Sequence, residues 1–199
     1  IVIAGYKLHR DFPSSDILDQ FADDKQARSY WAGSLMILLM NSSALDPQLQ
    51  KIVLQYLEPK EIGHFSSLGC LKTPTQWLPY IQQNPEVWEN ILDKMDEWLD
   101  HNDQWLFVAY DSLDRLTGQY SDLFPFLRSL LSFWHTHSNR WKHLRCKIFL
   151  RNDLYLSQML AFPDASKLSR NTVQLVWNTV SLYCLLIKRM ANAGSPETI

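Results

Sequence analysis

The feature that most limits what this chain can fold into is Trp105-Leu106-Phe107-Val108-Ala109-Tyr110, six consecutive apolar residues that stop at Asp111. A strand with one face in water alternates apolar and polar residues, whereas a central parallel strand covered on both faces reads as an unbroken apolar run. The run therefore predicts a buried strand of a parallel sheet. Parallel neighbours need a crossover connection, usually a helix. The following sequence supplies one: a helix capped by Ser121 and running to about His137, with Phe124, Leu127, Leu130, Leu131 and Trp134 on its apolar side. A second buried strand follows at Cys146–Leu150 and ends in Arg151-Asn152-Asp153. Ile1–Tyr6 is a further candidate strand, followed by the polar, Pro-containing loop Lys7–Asp16.

Helical signals fill the rest. A helix is expected from about Asp24 to Met40; its nearly apolar part, Trp31 to Met40, is half the roughly 20 residues that span a bilayer, so it reads as a core helix. Asp46-Pro47 supplies an N-cap and a first-turn proline ahead of Leu49, Ile52, Val53, Tyr56 and Leu57. Asn84-Pro85 repeats that start signal ahead of the stripe Trp88, Ile91, Leu92, Met95, Trp98 and Leu99, opposite Asp93, Lys94, Glu97 and Asp100. Residues 58–80, rich in Pro and Gly, read as a long loop or a small subdomain, and about Ser166 to Met190 as one final helix with Leu168, Leu175, Val176, Leu182, Tyr183 and Leu186 on its apolar side. With no repeat or linker, the expectation is a single α/β domain over 1–199, a parallel sheet flanked by helices. Within it, 1–100 holds the first strand and helices, 101–160 the two buried strands, and 161–199 a helical C-terminal segment.

Composition excludes more than it selects. A formal net charge of −2 gives no global positive field, so nucleic acid is an unlikely partner, and no membrane contact is expected. Cys70, Cys146 and Cys184 are odd in number and form no CxxC pair; they read as buried, reduced thiols in a cytoplasmic protein. His135, His137, His143 and Cys146 lack metal-chelating spacing, because positions i and i+2 of a helix point to different faces. Residues 139–145, Asn-Arg-Trp-Lys-His-Leu-Arg, form a basic, aromatic patch that reads as a solvated loop rather than a phosphate contact. No G-x-S-x-G elbow is present.

In open parallel sheets, ligands bind outside the carboxyl ends of the strands, which makes the polar residues there the candidate site. The first buried strand delivers Asp111-Ser112-Leu113-Asp114-Arg115-Leu116 to that edge. A carboxylate in this place can hold Mg²⁺ with substrate phosphates completing the shell. An Asp after a strand is also a common turn former or cap, and for Asp111 alone the two readings weigh equally. The second strand shifts the balance by placing a guanidinium, Arg151, at the equivalent edge, although a structural salt bridge from Arg151 to a neighbouring Asp is an alternative.

The run FVAYDSLDRL resembles the Walker B segment of STAND-type and KAP-type P-loop NTPases, and the resemblance covers residues 100–190. It implies Asp111 as the Mg²⁺ ligand and Asp114 as the residue that positions or activates the attacking water. It also implies Arg151 as the sensor that contacts the γ-phosphate, with Asn152 as the alternative, and Arg115 and Lys167 as further nucleotide contacts. Ser112 departs from the pattern, since many relatives carry a second acid there. Residues 162–168, FPDASKL, are similar to stretches in bacterial P-loop ATPases, although a loop capped by Ser166 is the favoured reading. The cofactors implied are ATP and Mg²⁺. The partners implied are a nucleotide and either a homo-oligomer or a regulated protein, in a setting of signalling or defence. A P-loop needs G-x-x-x-x-G-K followed by Ser or Thr, and none of the six glycines is followed by Lys-Ser or Lys-Thr. The expectation is a P-loop NTPase-like domain lacking its first strand and P-loop, with an inactive interaction module as the alternative. A third class, a Mg²⁺-dependent phosphohydrolase of another fold, needs further acids at neighbouring strand ends.

Overall fold

The computed structural model describes residues 1–5, 24–43, 45–57, 62–63, 65, 73–115, 120–157 and 165–193. It is mostly helical around a small parallel sheet, and by internal contacts it divides into two compact units, Ile1–Ser166 and Lys167–Ile199.

The first unit holds three strands, β1 (Val2–Ala4), β2 (Leu106–Tyr110) and β3 (Leu144–Ile148), paired in that order. Both pairings are parallel, with Ile3 opposite Val108 and Val108 opposite Cys146. The expected parallel sheet is therefore present, with the apolar run at its centre, although β1 is shorter than Ile1–Tyr6 and β3 begins two residues before Cys146. Side chains alternate across it. Ile3, Leu106, Val108, Tyr110 and Leu144 are buried on one face. The other face is more open, contrary to a strand covered on both sides: Val2 is 66% exposed, and Lys147 lies 4.9 Å above the Phe107 ring.

The helices of this unit are α1 (Asp24–Asn41), α2 (Pro47–Tyr56), α3 (Pro74–Gln83), α4 (Pro85–His101), α5 (Tyr120–Ser138) and the short α6 (Asn152–Tyr155). Helix α1 is buried all round from Tyr30 to Leu39, as a helix lacking a polar face must be. Trp31 anchors it to the sheet by an edge-on contact with Tyr110, and to α5 by a 2.8 Å hydrogen bond from its indole N–H to Ser129 Oγ. Gly33 lets α3 approach, because a Cβ there would run into the Trp77 ring. Asp46 caps α2 as expected, its carboxylate accepting the Gln48 N–H at 2.8 Å.

Some sequence expectations are only partly met here, for identifiable reasons. Part of the 58–80 loop is helix α3: Pro74 sits in its first turn, and burial of Trp77, Leu78 and Ile81 outweighs the backbone bond lost at Pro79. The rest of that loop, like Lys7–Asp16, lies mostly or wholly outside the described residues. The Asn84-Pro85 signal starts α4 where expected, with Asn84 in the N-cap position, but its side-chain amide makes no cap bond and turns back to the Tyr80 carbonyl at 3.0 Å, closing α3. Helix α5 starts at Tyr120, so Ser121 lies inside it.

The chain enters the second unit through a single turn, α7 (Ala165–Leu168), followed by a 3-10 turn at Ser169–Asn171, extended backbone over 172–178, and α8 (Thr179–Ala193). The single helix expected from Ser166 to Met190 is thus broken, and Ser166 lies within α7 rather than capping it. β-Branched Thr172, Val173 and Val176 favour extended backbone, and Asn178 starts the new helix by accepting the N–H and hydroxyl of Ser181 at 2.8 and 2.9 Å. Of the residues expected on its apolar side, Leu182 is 51% and Leu186 53% exposed. Cys184 is exposed and Cys146 half-buried, which corrects the reading of three buried thiols; Cys70 is not among the described residues. Among the described residues, no helix is long and apolar enough to cross a membrane.

Candidate functional site

Because the strands are parallel, their carboxyl ends lie along one edge. There the Gly5 N–H donates to Ala109 O at 2.7 Å and the Phe149 N–H donates to Tyr110 O at 2.8 Å, which sets the three exits side by side. A Cβ on Gly5 would meet the Tyr110 ring at 2.7 Å, so glycine is what lets β1 pass this ring. The ring is fully buried, and desolvation pushes its hydroxyl far above the ordinary tyrosine range.

Asp111 leaves β2 exposed to solvent, its Oδ1 accepting the N–H of Ser112 at 2.6 Å. Ser112 takes φ 57°, a left-handed conformation that non-glycine residues rarely adopt and that often marks functional sites. This bend throws the chain directly into a 3-10 turn, Leu113–Arg115, whose buried Leu113 pins it to the core. The position where the resemblance leads one to look for a second acid is therefore occupied by a strained bend. Asp114 sits on the turn with its side chain 25% exposed. Only the backbone of Arg115 is described.

At the end of β3, Arg151 is the residue before α6. Its Nη1 lies 3.7 Å from Asp114 Oδ2, while Nε and Nη2 donate to Asp153 Oδ1 and Oδ2 at 3.1 and 2.8 Å. That guanidinium holds the Asp153 carboxyl below the ordinary carboxylate range. The structure thus brings Asp114 and Arg151, 37 residues apart in sequence, together, and the salt-bridge alternative for Arg151 is realised in the same place. Asn152 is exposed next to it at the start of α6. Lys167 is an exposed residue of the second unit. Among the described residues no three His, Cys, Asp or Glu side chains converge to form a metal cage. A Mg²⁺ held by one or two carboxylates with phosphates and water needs no such cage, and Asp111 offers the hard oxygen donor.

A second charged cluster was not read from the sequence. Glu89, Asp93, Asp96 and Asp100 recur on α4 at helical spacing and meet the junction between α5 and β3. Asp96 accepts the N–H groups of Lys142, His143 and Leu144 at 2.9, 2.7 and 2.7 Å. Arg140 bridges Glu89 and Asp93 at 2.6 and 2.5 Å, and the Trp141 indole donates to Asp93 at 3.0 Å. His143 Nε2 lies 3.0 Å from Asp100. Trp141 is buried and stacks on His137 with centroids 4.2 Å apart. Residues 139–143 are thus a loop leading into β3 in which Asn139, Arg140 and Lys142 stay exposed while Trp141 is buried and backbone N–H groups are held by Asp96. Desolvation lowers the His137 pKa to about 4, the nearby Glu89 opposing and Arg140 and Arg28 assisting. A groove of about 250 Å³ between α2 and α4, lined by residues including Ile52, Tyr56 and Trp98, draws nothing from the strand ends.

No protein-family model, no curated protein and no solved structure matches this chain.

Proposed function

We propose that residues 1–166 form part of an ATP-binding and ATP-hydrolysing domain of the P-loop type that works as a nucleotide-dependent switch. The observation that supports this most is the meeting of Asp114 and Arg151 at 3.7 Å, each just beyond the carboxyl end of one of two adjacent parallel strands, with Asp111 at the tip of the central one. In this reading Asp111 holds Mg²⁺, which when bound neutralises phosphate charge. Asp114 orients a water molecule for attack by accepting its proton-bearing hydrogen bond. Arg151 binds the terminal phosphate through its planar fork and stays charged at any working pH. Asn152 stands beside it as a second polar contact. A phosphate-cradling P-loop is also required, and residues 1–199 do not supply its motif.

The same missing motif favours a second reading, a protein-interaction module that has kept the fold and does not turn over nucleotide. Asp111→Asn in the intact protein separates them. The ATPase reading expects Mg²⁺-dependent hydrolysis to fall at least a hundredfold, in line with loss of a catalytic electrostatic contact. Unchanged turnover removes Asp111 from the mechanism, and no turnover in the unaltered protein favours the module.

A further inference from the structure

We infer that Asp153 is a latch on Arg151, holding the guanidinium in a resting position from which an incoming phosphate must take it; this rests on the nucleotide reading above. The guanidinium is engaged on two sides. Nε and Nη2 form the two-bonded fork with Asp153, and Nη1 faces Asp114. A carboxylate and a phosphate both present oxygens at a spacing that matches this fork, so they compete for the same donors. Asp153 is only two residues away and moves with Arg151, whereas Asp114 is carried by a different strand.

The local charge adds to the effect. Asp114 and Asp153 both face this guanidinium, so a bare phosphate meets two carboxylates there. Exchange of Asp153 for phosphate is favourable only when a divalent cation arrives with the nucleotide. The arginine and Asp153 are both 57% exposed, which makes the latch weak and fast to open, as a switch requires, rather than a structural tie. Asp153 is thus a positioning residue acting through Arg151.

The test is a double-mutant cycle on the intact protein, reading the affinity for MgATP by calorimetry in the unaltered protein, Asp153→Asn, Arg151→Ala and the combined variant. Asn keeps a polar side chain at the start of α6 while removing the charge that competes with phosphate. The latch predicts that Asp153→Asn binds MgATP roughly twofold to fivefold more tightly, and that the gain vanishes when Arg151 is Ala. An equal affinity in Asp153→Asn and the unaltered protein overturns the latch and leaves the nucleotide reading standing. A gain that persists without Arg151 also overturns it, since Asp153 would then act by general charge alone. Absence of MgATP binding in every form overturns both.

Discussion

Arg140 and Arg151 each meet two carboxylates, but in different company. Arg140 bridges Glu89 and Asp93 beside a buried Trp141, on a junction whose backbone N–H groups are already taken by Asp96. Arg151 meets Asp153 and Asp114 at the rim of the sheet, its own side chain 57% exposed, beside a strained bend at Ser112 on the neighbouring strand. The first cluster is fixed by what is packed around it, so it holds β3 in register against α4. The second can rearrange at little cost, and it lies where strand ends converge. Charge pairing alone does not separate structure from function; the packing around the pair does.

The comparison can be broken most severely at Asp96. Asp96→Ala strands three backbone donors and should cost about 3 to 4 kcal/mol in urea unfolding, because each bond to a charged acceptor is worth about 1.5–3 kcal/mol and the bonds are not additive. A loss below about 1 kcal/mol would mean the junction does not depend on it. A pH titration of stability comes next. His137 has a folded pKa near 4 against an ordinary 6.5, so the unfolded chain binds the extra proton between those values. Stability from this group is complete above about pH 6.5 and declines as the pH falls toward 4, by on the order of 3 kcal/mol. His137→Gln should flatten that part of the curve, and an unaltered slope would show that His137 is not its source.

Smaller effects sharpen the contrast between the two arginines. Arg140→Ala should lower stability by about 1 kcal/mol, as expected for a partly exposed network of two ion pairs. Arg151→Ala should leave the denaturation midpoint in place while weakening MgATP binding. A midpoint shift as large as that of Arg140→Ala would put the two clusters in the same structural class.

Much of the first unit was legible in the sequence because single strong signals specify it. The unbroken apolar run named the central parallel strand, and Asp46-Pro47 named the start of α2. Asp111, Asp114 and Arg151 were legible as strand-end residues, since strand polarity alone carries them to one edge. The choice of Asp153 as the close partner of Arg151 was less so, because which carboxylate wins an exposed arginine depends on the bend at Ser112 and the turn into α6. Helix α3 was hidden by its prolines, whose cost is offset by tertiary burial of Trp77 and Ile81. The acid stripe of α4 looked like a solvated face, although its spacing of four, three and four residues marks one side of a helix. The second unit misled most: an apolar stripe says what a helix can bury, not whether anything covers it.

The central claim is the proposal that Asp111 and the Asp114–Arg151 pair serve a Mg²⁺-bound nucleotide. Calorimetric titration of the intact protein with ATP, with Mg²⁺ present and then with it chelated, tests this most directly. The account predicts binding with Mg²⁺ that is lost on chelation and in Asp111→Asn. No binding with Mg²⁺ present, or the same affinity in its absence, would contradict it.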